Sequence, residues 1–309
     1  MPAVSDIAFV RYAIPDLDRM EQFLRDFGLF TVRKSASALY SRACGDAPFC
    51  HVAEKADKPA TLGFGLYAQS AADLGEIARE FGASVEDSPE PGGGQRVRLK
   101  DPAGFSVDIL HGQERAAVIP SRAPMAFNAA TSRQRLGRPI RTQPEPSRVQ
   151  RLGHVALFVT DYQACLAFYQ KLGLTPSDSY YAGAPSNVIA SFMHCGLGEK
   201  FTDHHTVAVI TSLDGTNRFE HCAFEVLDLD DLMQGQAYLQ ARNYEHAWGV
   251  GRHVQGSQIF DYWRDPWDHK HEHWTDGDLV NRDTPVGLAE LSPDALSQWA
   301  PPVQPSYFR

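Results

Sequence analysis

The chain of 309 residues is long for one hydrophobic core and suits two domains. With 43% hydrophobic and 22% charged residues it reads as an ordinary globular protein. Its formal charge of −9 argues against nucleic acid or an anionic membrane surface as the main partner. No apolar run approaches the ~20 residues that span a bilayer, and the start MPAVSDIAFVRY lacks the basic and apolar parts of a signal peptide. The five cysteines are scattered without a CxxC, as fits free thiols in a reducing cytoplasm.

In chain order, Ile7 to Leu29 reads as an apolar strand, a turn at Pro15-Asp16, and a helix carrying Met20, Phe23, Leu24 and Phe27 at helical spacing. Gly28 is placed as the C-terminal cap. A second unit, from Leu62 to Ile109, runs strand (GFGLYA), helix (AADLGEIAREFG), then strands ending in DPAGFSVDIL. Residues 113–150, rich in Arg, Pro, Ala and Ser and without periodicity, read as a linker crossing the surface. From Gly153 the first pattern returns: GHVALFV, a turn at Thr160-Asp161, a helix with Cys165, Phe168, Tyr169 and Leu172, and Gly173 as cap. The fourth unit runs HCAFEV, LDDLMQGQAYLQARNY, IFDYW and DPWDHKHEHW. The expected fold is therefore α+β, four βαβββ modules paired into two tandem domains. The domains are 1–112 and 151–276, and a proline-containing tail, 277–309, wraps the second.

Of the 12 histidines only His51 and His111 precede residue 150, which places imidazole chemistry in the second half. The module layout, with GHVALFV, EHCAFEV and GRHVQGSQIFDYWRDPWDHKHEHW, resembles the vicinal oxygen chelate superfamily, and within it the type I extradiol catechol dioxygenases, from about residue 5 to 280. The resemblance implies metal ligands at His154, His221 and Glu272, with Fe(II) as cofactor and Mn(II) as the alternative. It also implies His253 and Tyr262 as hydrogen-bond partners of the substrate oxygens and His205 as the acid–base residue, with His204 as its near competitor. The partners it implies are a small aromatic diol and O2, and homo-oligomers are common in that family. Two positions depart from the family pattern: Asp261 replaces an apolar residue before Tyr262, and Asp268 stands where Gly or Pro is usual.

The residues themselves support the same three ligands. Laying one half on the other puts Phe9 opposite His154, Gly63 opposite His221, and Asp108 opposite Glu272. Packing gives no reason for imidazoles on one copy alone, whereas a single metal site does. Two imidazoles and one carboxylate with open positions are the arrangement of non-haem Fe(II) oxygenases. Taken singly, a histidine in an apolar strand is more often a hydrogen-bonded core residue, so the weight rests on the joint occurrence. Strand alternation puts His271 and His273 on the face opposite Glu272, as outer or surface groups. Tyr180, Tyr181, Phe192, Phe201, Trp248 and Phe260 are candidate ring-lining aromatics, and Arg252 and Arg264 candidate carboxylate partners. The competing functions are a glyoxalase-like isomerase or epimerase, which has no evident need of His205, His253 and Tyr262, and a ligand-binding module, which would lack the ligands.

Overall fold

The computed structural model describes residues 3–308. The first module comprises β1 (Val4–Ile14), α1 (Leu17–Phe27), β2 (Phe30–Lys34), β3 (Ala38–Arg42) and β4 (His51–Lys55). The second comprises β5 (Ala60–Ala68), α2 (Ala71–Glu80), β6 (Val85–Asp87), β7 (Gln95–Lys100) and β8 (Ser106–His111). The third comprises β9 (Val149–Val159), α3 (Tyr162–Lys171), β10 (Leu174–Tyr181), β11 (Val188–Cys195), the short β12 (Thr202–Asp203) and β13 (Val207–Thr211). The fourth comprises β14 (Arg218–Val226), α4 (Leu229–Ala241), β15 (Glu245–His253), β16 (Ile259–Arg264) and β17 (Lys270–Thr275). The tail adds β18 (Leu279–Val280), β19 (Gly287–Glu290) and β20 (Ser297–Trp299) before a helical turn, Pro305–Phe308.

Each helix starts where a polar side chain takes over unpaired amides. The Asp16 carboxylate accepts from the amides of Asp18 and Arg19, and Asp161 and Asp228 do the same for α3 and α4. At the far end of α1, Gly28 adopts φ +110°, which a residue with a Cβ resists.

The two halves share one topology. In the first sheet the order is β2-β3-β4-β1-β5-β8-β7-β6, and in the second β10-β11-β13-β9-β14-β17-β16-β15, extended by β19 and β20 at its edges. The first strands of paired modules meet antiparallel at the centre, as β1 with β5 and β9 with β14. Phe9 pairs Gly65, which pairs Asp108; His154 pairs Ala223, which pairs Glu272. Gly63 lies between Arg11 and Ser106, as His221 lies between Ala156 and Lys270. The three proposed ligand positions therefore coincide in register with Phe9, Gly63 and Asp108.

In the first half those positions are plugged. The Phe9 ring occupies the space where a Cβ on Gly65 would lie, and packs with Tyr40, Phe49, Val52 and Tyr67. Asp108 sits 3.9 Å from Arg96 and 3.8 Å from Arg98, so its charge is matched by guanidinium groups rather than left for a cation.

One buried apolar cluster runs through both halves, from Val4 to Trp263. His271 and His273 lie in this junction, and here the structure corrects the expectation of outer or surface groups. Both do face away from Glu272, but they are fully buried: His273 Nε2 donates to Phe27 O at 2.8 Å, and His271 Nε2 is 3.3 Å from His51 Nε2. Among the described residues no helix is long and apolar enough to cross a membrane.

Candidate metal centre

Three adjacent strands carry the site. His154 on β9, His221 on β14 and Glu272 on β17 are all buried, and their side chains converge. His154 Nε2 and His221 Nε2 are 3.3 Å apart, and each is 3.3 Å from Glu272 Oε2. This near-equilateral triangle leaves a central point within reach of the ~2.1 Å bonds that imidazole nitrogens and carboxylate oxygens make to a divalent ion.

Hydrogen-bond directions argue for an ion there. His221 Nδ1 is held by the Glu220 carboxylate, which can only accept, so the proton is on Nδ1 and Nε2 presents a lone pair. That lone pair faces a carboxylate oxygen, and both Glu272 oxygens are buried without a hydrogen bond of normal geometry. Electron-rich atoms turned on one another in a dry interior repel unless a cation joins them. Burial lowers the affinity of His154 and His221 for protons, in His154 well below the ordinary range, so both stand neutral as ligands must. Burial pushes Glu272 up, opposed by His221 and His253, and a cation would restore its charged form.

Glu220 is a residue that sequence reading misses. Strict alternation would put it on the face opposite His221, but the β9–β14 register shifts between Phe219 and His221, and the bulge turns Glu220 toward the His221 ring. Lys270 pairs with the other Glu220 oxygen and donates to Tyr307 O at 2.9 Å. The carboxylate thus orients the His221 imidazole, as carboxylates commonly do for histidines around metal sites.

Around the triangle lie the other residues singled out by sequence. His253 Nδ1 donates to Leu296 O at 2.8 Å, so its Nε2 accepts, and the Tyr262 hydroxyl donates to it at 2.9 Å. Burial first, then the neighbouring Glu272, push the Tyr262 phenol well above its ordinary range, keeping it protonated. His205 packs its ring against His154, centroids 4.0 Å apart, while His204 turns to Asp178, 2.6 Å away. Burial, with His154 next, holds His205 neutral.

Of the aromatic residues, Phe192 stands 5.1 Å from His205, Phe260 stacks on His253 at 4.1 Å, and Trp248 packs on Phe260 and Tyr262. Phe201 is 58% exposed and lies outside this wall. Arg252 is engaged by Ser257 O and Asp276, and buried Arg264 by Asp268, Ser306 O and Tyr307 O, so neither is a spare cation.

The two departures from the family pattern have local causes. Asp261 points away from Tyr262 and accepts from His246 Nε2 at 2.6 Å and Trp263 Nε1 at 2.7 Å. Asp268 adopts φ +75°, the conformation for which glycine is usual, and pairs with Arg264 at 3.0 Å. The tail closes the site: Tyr307 is buried against Trp248 and Tyr262, with centroids 5.3 Å from each.

Residues 151–272 match the family model described as the Glyoxalase/Bleomycin resistance protein/Dioxygenase superfamily. The chain is 32% identical to Metapyrocatechase 2 of Cupriavidus necator over 313 residues, covering 99% of this chain and 92% of the relative. It superposes on homoprotocatechuate 2,3-dioxygenase from Brevibacterium fuscum, in its anaerobic complex with 3,4-dihydroxyphenylacetate, with a TM-score of 0.82 at 19% identity, covering 99% and 92% of the two chains. A Mn(II)-bound glyoxalase from Novosphingobium aromaticivorans shares the fold with a TM-score of 0.80 at 22% identity, covering 99% and 94%.

Proposed function

Because the chain belongs to the extradiol dioxygenases of the Glyoxalase/Bleomycin resistance protein/Dioxygenase superfamily, we propose that it opens a catechol-type ring next to its vicinal hydroxyls. The metal is Fe(II), with Mn(II) as the alternative occupant, and both atoms of O2 enter the product. The observation that carries this reading is the triangle of His154, His221 and Glu272 with His205 on one side and the Tyr262–His253 pair on the other. Two neutral imidazoles and one carboxylate leave open positions for a diol and a gas, the donor set of non-haem Fe(II) oxygenases.

When bound, Fe(II) supplies a common centre for diol and dioxygen and the electronic link between them. The protein does the rest. Tyr262, protonated and held by His253, presents its phenol oxygen to a substrate oxygen and fixes the ring's orientation. His205, neutral in the dry pocket, takes up a proton from a substrate hydroxyl and returns it as general acid when negative charge develops on the oxygen atoms. Phe192, Trp248 and Phe260 give the ring an apolar wall and limit water.

The test is anaerobic reconstitution with Fe(II), then a panel of catechols on admitting oxygen. Oxygen uptake with a yellow ring-opened product is the expected result. Metal bound at the triangle with no uptake on any catechol would instead favour an isomerase of the same fold.

A further inference from the structure

One line of side chains runs outward from the site, from His205 through His204 to Asp178. His205 Nδ1 lies 3.1 Å from His204 Nδ1, and His204 Nε2 lies 2.6 Å from Asp178 Oδ2. Both histidines are buried, at 4% and 3% exposure, so these contacts are not diluted by water. The directions of the two bonds follow from the chemistry of the end group. The Asp178 carboxylate accepts, so His204 carries its proton on Nε2. His204 Nδ1 is then a lone pair, and the contact between the two Nδ1 atoms requires His205 to donate. His205 therefore holds its proton on Nδ1, and its other nitrogen, on the far side of the ring from His204, is bare.

We propose that Asp178 and His204 are positioning residues that fix the tautomer of His205, so that its Nε2 can accept a proton from the substrate. The proposal rests on the reading of His205 as the acid–base residue. The surroundings of His204 are built to hold this line. Gly256, at φ +76°, sits where a Cβ would fall on His204 Nδ1. The His204 amide donates to Asp278 O at 3.0 Å, and Ser177 Oγ donates to the His204 carbonyl. With backbone and ring both fixed, His204 keeps one nitrogen on each neighbour.

Asparagine at position 178 tests the line, because its amide can donate where the carboxylate could only accept. Donation to His204 Nε2 would shift the His204 proton to Nδ1 and force that of His205 onto Nε2. The tautomers are read in the metal-free protein by two-bond 1H–15N correlation with 15N-histidine labelling, the two rings being assigned from single histidine variants. The wild type is expected to show His205 protonated at Nδ1 and His204 at Nε2, with Asp178→Asn moving His205 toward the Nε2–H form. The same variant is expected to lose on the order of 10²-fold in kcat, with KM for the diol and the bound iron unchanged, because the lost step is proton transfer rather than binding. Asp178→Glu, which restores a carboxylate, is expected to recover both the tautomer and most of the rate. A wild-type His205 protonated at Nε2, or a tautomer unmoved in Asp178→Asn, would overturn the proposal. His205→Asn separates this from the parent reading. If it keeps wild-type kcat, the acid–base role itself is wrong; if it loses kcat while Asp178→Asn keeps both tautomer and rate, only the relay is wrong.

Discussion

At the scale of single residues, the site is organised by which atom of each side chain carries a proton. Glu220 fixes His221 with a bare Nε2, and Leu296 O fixes His253 with an accepting Nε2. Replacing Glu220 with Gln leaves the shape but lets the amide donate to His221 Nδ1, which favours the wrong tautomer. Iron affinity should fall by about 10- to 100-fold, read by competition with a chelator of known affinity. Unchanged affinity would remove Glu220 from this role. The two imidazoles stand out in the sequence because one half carries them and its duplicate has Phe9 and Gly63, whereas the carboxylate does not, since Asp108 answers Glu272. Glu220 could not be picked out, since it reaches His221 through a bulge that breaks the period-2 rule. Asp178 was hidden for a different reason. It lies on β10, 26 residues before His204, and no local spacing links the two.

At the scale of elements, the turns decide where the strands can go. Gly28 ends α1 at φ +110°, and a Cβ there would run into the Ser147 carbonyl and Val149. Gly28→Ala should therefore cost more than the roughly 1–2 kcal/mol of placing a Cβ in the left-handed region, because the clash adds to the strain. Urea unfolding would show it as a lower midpoint with an unchanged slope, and an unchanged midpoint would contradict it. The helices and modules were readable because apolar spacing and capping residues agree: Met20, Phe23, Leu24 and Phe27 are all buried, as the 3.6-residue period requires. Spacing could also tell that His271 and His273 leave the face of Glu272. It could not tell that this opposite face is itself buried, because that depends on where the other half of the molecule packs.

At the scale of the whole molecule, the shared core puts neutral histidines in the junction. Burial lowers His271 to about 4 and His273 to about 3, against an unfolded value near 6.5. Below that value the unfolded chain binds protons that the folded protein excludes. The contribution of these groups is present in full above about pH 6.5 and is lost as pH falls toward 4 for His271 and toward 3 for His273. Each adds at most about 1.4 kcal/mol per pH unit to the slope of stability in that window. His273→Asn, which keeps a donor for Phe27 O but cannot become charged, should flatten the slope measured by urea unfolding of the metal-free protein between pH 6 and 5. An equally steep slope would mean His273 already titrates freely in the fold.

The proposed ring-opening function requires one Fe(II) held by His154, His221 and Glu272. The wild type and the variants His154→Ala, His221→Ala and Glu272→Ala are loaded anaerobically with Fe(II), iron is counted per chain, and the yellow product is followed once catechol and oxygen are supplied. The wild type should bind one iron per chain and turn over, while each variant that remains folded should lose the iron and the product together. Retained iron and retained turnover in all three variants would mean that these residues do not hold the catalytic metal.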